Sequence, residues 1–167
     1  MANRSIFNRR YTSYDPAGTQ VWLINGAGVA TTPSSTQNFT AGAALLQGQP
    51  VYVSGAYVFP SSAASGTASE QFNVVGITSE SAISGSGVAV NVDEVVTING
   101  ETITAETALT PGQYYYLSKF SGELVKYDTA SGVVTAASGY AALVTLGLAL
   151  STSELHVEVD TPVDLYS

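Results

Sequence analysis

One histidine, thirteen carboxylates, a run of three tyrosines and many serines are the side chains of this 167-residue chain that could do chemistry. His156 lies in Leu155-His156-Val157-Glu158-Val159-Asp160, where alternation sets Leu155, Val157 and Val159 on one face of a strand and His156, Glu158 and Asp160 on the other. A base flanked by carboxylates, or a loose metal site, would use that polar face. The same pattern is the solvent side of a half-buried strand, and we expect that role. Asp93 and Glu94 are adjacent and point to opposite sides, and Glu101 and Glu106 flank a turn, so the sequence gives no positive reason to expect a pair held across a sugar as glycoside hydrolysis requires. Gly85-Ser86-Gly87 lacks the spacing of a nucleophile elbow. Asn25-Gly26-Ala27-Gly28 has neither a following helix nor the Lys-Ser/Thr of a phosphate cradle. With no cysteine, thiolate catalysis, zinc-thiolate sites and disulfides are excluded. The expectation is a non-enzymatic protein without catalytic residues, cofactor or metal.

Tyr114-Tyr115-Tyr116 carries a different possibility. On a strand Tyr115 must face away from its two neighbours, so one face enters the core and the other displays rings. Displayed rings fill subunit interfaces or stack on sugars. Trp22, in the apolar run Gln20-Val21-Trp22-Leu23-Ile24 between turn signals, is a further candidate of this kind.

The elements that must position these residues recur. Gly48-Gln49-Pro50-Val51-Tyr52-Val53-Ser54 and Gly112-Gln113-Tyr114-Tyr115-Tyr116-Leu117-Ser118 share Gly-Gln and an aromatic-aliphatic-Ser ending at the same spacing. Each is followed by a glycine in an apolar run, Val74-Val75-Gly76-Ile77 and Leu146-Gly147-Leu148, and then by an alternating segment ending in Asp93 or Asp160. Two related β modules therefore stand in tandem, over 45–105 and 106–167, after a segment 1–44. Short strands at regular spacing with Gly and Pro punctuation indicate an all-β antiparallel sandwich or barrel with an extended N-terminal arm. Asn99-Gly100 between Val95-Val96-Thr97-Ile98 and Glu101-Thr102-Ile103-Thr104 predicts a type I′ hairpin. A second hairpin is predicted to join 114–118 to 123–127 through Lys119-Phe120-Ser121-Gly122. Residues 40–46 hold the one stretch expected to form a helical turn, and 60–69, rich in Ser, Ala and Gly, is expected to be an exposed loop.

Charge is sparse and lopsided. Charged residues are 11% of the chain, against about 25% in an ordinary soluble domain. Arg4, Arg9 and Arg10 stand against no acid before Asp15, whereas from Asp15 onward thirteen acids face only Lys119 and Lys126, for a net charge of −8. An acidic body is repelled by nucleic acid. The basic start also carries Ile6, Phe7, Tyr11 and Tyr14, and Arg with aromatic residues is the composition of interface anchors. We therefore expect Arg4, Ile6, Phe7, Arg9, Arg10 and Tyr11 to dock on a partner subunit. Neither a membrane span nor a signal peptide fits the sequence, so a soluble product of the cytosol is expected.

Several of these segments together resemble tailed-bacteriophage virion proteins. The matching residues are Leu45-Leu46-Gln47-Gly48-Gln49-Pro50-Val51-Tyr52, Val75-Gly76-Ile77, Leu109-Thr110-Pro111-Gly112-Gln113 with the strand that follows, Gly122-Glu123-Leu124, Leu146 to Ser151 and Glu154-Leu155-His156-Val157. More narrowly, roughly residues 45–160 resemble the small β-rich head-decoration or cement proteins and related modules of tail fibres. The resemblance implies a capsid-binding homo-oligomer, commonly a trimer, whose partner is the major capsid protein, on the outer surface of the phage head. A tail-fibre, neck or baseplate component, or a module that binds host-surface glycans, is the alternative.

Overall fold

The computed structural model describes residues 23–24, 30–31, 35–126 and 138–165, in two compact units, Met1–Ser34 and Ser35–Ser167. Within the first, β1 (Leu23–Ile24) pairs antiparallel with β2 (Ala30–Thr31), in keeping with a strand at the end of the 20–24 apolar run. Trp22 and the arm residues Arg4, Ile6, Phe7, Arg9, Arg10 and Tyr11 lie outside the described residues.

The second unit is all-β. Its first half comprises β3 (Thr36–Ala41), β4 (Pro50–Ser54), β5 (Tyr57–Pro60), β6 (Val74–Thr78) and β7 (Gly87–Asn91). These close into a barrel in the order β3-β5-β4-β6-β7, in which only the β3–β5 pair is parallel. Alternation along the strands turns Ala41, Val51, Val58, Val88 and Val90 inward, where with Leu45 they form one core. On the outer face Tyr52 and Phe59 are cross-strand neighbours with ring centroids 5.9 Å apart.

The second half repeats the arrangement. β8 (Val95–Thr97), β9 (Tyr114–Leu117), β10 (Leu124–Lys126), β12 (Thr145–Ala149) and β13 (Glu154–Val157) form a sheet in the order β10-β9-β12-β13-β8, and β11 (Ala142–Leu143) pairs with β14 (Val163–Asp164) beside it. The correspondence extends to single hydrogen bonds. Gly48 N–H donates to the Thr78 carbonyl at 2.8 Å, and Gly112 N–H to the Ala149 carbonyl at 2.8 Å. Both glycines sit at positive φ, 85° and 78°, which is why the Gly-Gln turn recurs in the sequence. The parallel contact that closes the first barrel, Ala41 with Val58, has its counterpart in a bridge between Ile103 and Leu124. Gly42 N–H to the Val58 carbonyl (2.8 Å) likewise matches Thr104 N–H to the Leu124 carbonyl (2.7 Å).

Each copy starts with a strand, β3 or β8, that precedes the Leu-x-x-Gly-Gln turn. The repeats therefore run from Thr36 and Val95, about ten residues ahead of the boundaries expected at 45 and 106.

Three local expectations change. Asn99-Gly100 does not close a type I′ hairpin: Asn99 is extended (φ −74°, ψ 131°), its side chain accepts from Glu101 N–H, and Gly100–Thr102 is a 3-10 turn. β8 pairs with β13 instead, because completing the sheet buries Val96 against the core. Gly100 is needed for another reason: a Cβ there would strike the Thr107 carbonyl. Residues 40–46 continue β3 and then bend to a bridge between Leu45 and Ala82 rather than forming a helical turn. The 60–69 loop is divided. Ser65, Gly66, Ala68 and Ser69 are exposed, but Ser61, Ser62 and Ala63 are buried in the seam between the two halves. There Ala63 N–H reaches the Ser118 carbonyl (2.9 Å), and Gly122 and Ala141 N–H reach the carbonyls of Ser61 and Ala63 (both 2.7 Å). Backbone pairing makes that loop a structural strap despite its small side chains.

Candidate functional site

Residues 114–118 and 123–126 form the hairpin the sequence predicts, with Leu117 opposite Leu124, Tyr116 opposite Val125 and Tyr115 opposite Lys126. Alternation along β9 separates the three tyrosines as expected. Tyr115 is fully buried, Tyr116 is half-buried and Tyr114 is 48% exposed. Tyr115 is therefore a core residue with no ring surface for a sugar or subunit, which removes it from the stacking candidates and leaves Tyr114 and Tyr116.

The Tyr115 hydroxyl is the centre of a polar network. It accepts from Thr110 N–H at 2.8 Å and donates to Glu106 Oε2 at 2.9 Å. Glu106 Oε1 meets Lys126 Nζ at 2.6 Å, and the same ammonium lies 3.2 Å from Thr110 Oγ1. Burial pushes the Tyr115 pKa above its ordinary value of 10.0, and the Glu106 carboxylate adds to this, while the bond from Thr110 opposes it. The phenol is thereby held neutral as a donor to the carboxylate. Its effect is to pin the 104–110 segment, where Ala105 takes a positive φ of 61°, to the β9–β10 hairpin. A nearby set serves the same hairpin: Thr104 Oγ1 lies 2.7 Å from both Ser118 Oγ and Glu123 Oε2, and Ser118 Oγ accepts from Phe120 N–H. Sequence reading missed both sets, because Glu106 and Lys126 are twenty positions apart and meet only once the hairpin is folded.

Tyr114 and Tyr116 line one side of an open trough of about 260 Å³ whose other walls are Thr145, Glu158 and Asp160. β12 carries Thr145 opposite Tyr116, and alternation beyond β13 brings Glu158 and Asp160 to the same surface. His156 belongs to that polar face, half-buried, with Leu148 on one side and Val95 on the other. Two rings, a hydroxyl and two carboxylates can hold a hydroxyl-rich ligand or a basic side chain. Among the described residues no three His, Asp or Glu side chains are gathered as a metal site would need.

A second groove, about 420 Å³, adjoins the trough through Asp160 and is mostly apolar: Val74, Val75, Val92, Val159 and Pro162, with Asn73 and Thr161 at the rim. Val75 packs on the first core, and Val74 and Val159 on the second, so the groove overlies the seam. Isolated apolar side chains protrude elsewhere, led by Ile83 at 75% exposure and including Tyr57, Phe120 and Leu150. Among the described residues no helix is long and apolar enough to cross a membrane.

No protein-family model matches the chain. A search of curated proteins likewise returns no match.

Proposed function

We propose that this chain is a non-enzymatic bacteriophage decoration protein, which binds the outer surface of the major capsid lattice and stabilises the head as a homo-oligomer, with three copies as the expected number. The observation that carries the reading is the repeated β unit itself. A closed five-stranded barrel and a five-stranded sheet of the same strand order share a hydrogen-bonded seam, giving a stiff body whose surface is poor in charge and carries isolated apolar side chains. Such a body suits adhesion to protein better than recognition of charged ligands.

In this reading the β body sits over a junction between capsid subunits, while Arg4, Ile6, Phe7, Arg9, Arg10 and Tyr11 lie on a neighbour and tie the subunits together. Burial of arm side chains contributes about 25 cal/mol per Å² before ordering costs. Repetition over the shell turns a weak contact into a strong one. The protein is made in the host cytoplasm and needs neither cofactor, nucleic acid nor membrane.

Purified virions should contain the chain in a high, fixed ratio to the major capsid protein, measured by gel densitometry. A few copies per particle would favour a tail-fibre, neck or baseplate component instead. A variant lacking residues 1–12 should stay folded and lose capsid binding; unchanged affinity would remove the arm mechanism.

The trough supports one second reading, a host-glycan module. Tyr114 and Tyr116 with Thr145, Glu158 and Asp160 combine stacking faces with hydrogen-bonding groups. Binding on a broad glycan array that is lost in Tyr114→Ala would favour it, and no binding would end it.

A further inference from the structure

The two halves do not depend on each other equally. Among the described residues the first core is built from the first half alone: Ala41, Leu45, Val51, Val58, Val88 and Val90, with Phe39, Val75 and Ala82 packed against it. The barrel around it is closed by its own strands, through the parallel pairing of β3 with β5. The second core is not self-sufficient. Ala63 and Ile77, both fully buried, belong to it, and Phe72 and Val74 pack against it, although all four come from the first half. Where β3 and β5 pair at Thr40 and Ala41, the second sheet has the single bridge between Ile103 and Leu124.

What completes the second half is the strap at 61–65. Its root is held by the first half: Ser61 N–H donates to the Pro50 carbonyl at 2.9 Å, and Ser62 N–H to the Gln71 carbonyl at 3.1 Å. Beyond the root it enters the second half as an added strand. Ala63 donates to Ser118 and accepts from Ala141, Ala64 bridges to Tyr140, and Ser65 N–H reaches the Gly139 carbonyl at 2.8 Å. The Ser62 hydroxyl donates to the Lys119 carbonyl at 2.9 Å. The strap thus ties the 118–122 turn to the 139–141 segment, beside the buried side chains of Leu117, Tyr140 and Ala142. Its removal leaves these backbone groups unpaired and uncovers the second core, whereas the first core keeps its own side chains.

We propose that the second half is conditional on the strap: release of residues 61–65 opens β8 to β14 together while the β3–β7 barrel stays folded, and the barrel does not open first. Proteins open locally through their least self-contained units, and here that unit carries the displayed tyrosines. Tyr114, Tyr116, Thr145, Glu158 and Asp160 all lie in the conditional half, so the strap governs whether the trough exists. The inference needs neither the capsid nor the glycan reading, and it stands or falls apart from both.

Native-state hydrogen exchange of the full chain, read by mass spectrometry in mild denaturant, tests it. Amides of β9, β12 and β13 should share one level of protection, at least about tenfold below that of β4 and β7. Val51→Ala, in the first core, destabilises the native and the partly open state alike relative to the unfolded chain. It should lower protection of β4 and β7 at least about tenfold and leave β9, β12 and β13 unchanged. Ser62→Ala removes a strap bond that only the native state makes, so it should lower both sets by the same factor, about fivefold. Ala63→Glu forces a charge into the second core, and should leave β9, β12 and β13 exchanging freely while β4 and β7 remain protected. A common protection throughout the wild type, a fall in β9, β12 and β13 on Val51→Ala, or loss of barrel protection in Ala63→Glu would each overturn the proposal.

Discussion

Gly76 and Gly147 occupy the same place in two copies of one strand arrangement. Gly76 lies opposite Val51 and Gly147 opposite Tyr115, each beside a break in strand register, and each backs onto a carbonyl of the following strand, that of Asn91 or His156. A β-bulge places one residue too many in β6 and in β12, which presses the chain against its neighbour and leaves no room for a Cβ. The glycine inside each apolar run, visible in the sequence as a repeat, is thus the mark of a bulge that helps bend the sheet round.

Gly147→Ala should therefore be severe. The added methyl would meet backbone, which has nowhere to move, and a loss of roughly 3 kcal/mol is expected. Gly55→Ala, at a hairpin turn with open space around it, should cost about 1 kcal/mol, from its positive φ alone. Chemical denaturation of the two variants side by side checks this; equal losses would mean that the bulge is not tight.

Tyr115 and Tyr114 should separate just as sharply. Truncating Tyr115 to Ala empties a fully enclosed site and is expected to cost roughly 3–5 kcal/mol, whereas Tyr114→Ala removes a half-exposed ring and should cost less than about 1 kcal/mol. Thermal unfolding distinguishes them.

The Tyr115 hydroxyl can be tested apart from its ring. Tyr115→Phe leaves Thr110 N–H and one Glu106 oxygen without their partner, an expected loss of about 1–3 kcal/mol. Lys126→Met breaks a partly exposed ion pair and should cost only about 0.5 kcal/mol. The reverse order would show that the ion pair, and not the phenol, secures the 104–110 segment.

Alkaline pH should weaken the fold through the same group. The folded pKa of Tyr115 is raised above the unfolded 10.0, so the native state holds this proton after the unfolded chain has released it. The group leaves stability unaffected below about pH 10 and lowers it progressively above, until the folded pKa is passed. Absorbance titration near 295 nm should show one of the ten tyrosines ionising late, and Tyr115→Phe should flatten the alkaline fall in stability.

Much of the architecture was legible because it is written in local terms. Period-two alternation placed Leu155 and Val157 inside and His156, Glu158 and Asp160 outside, as found. The Gly-Gln turns, the 114–126 hairpin and the tandem duplication were equally plain, since a positive φ at Gly48, Gly112 and Gly122 demands glycine in the sequence. Asn99-Gly100 was misleading for the converse reason. Its turn propensity is real but worth little against burying Val96 in the sheet, and its glycine answers to the Thr107 carbonyl.

The sequence by itself determined an all-β, cysteine-free, acidic chain of two related modules, because strand period, turn glycine and charge are properties of residues and their neighbours. Only the tertiary structure decided that Tyr115, Glu106, Thr110 and Lys126 form one network, that Ser61–Ala63 is a buried strap, and that an aliphatic groove lies over the seam. These depend on pairs brought together by sheet closure, and the pairing is set by the summed burial of two cores rather than by any local stretch of chain.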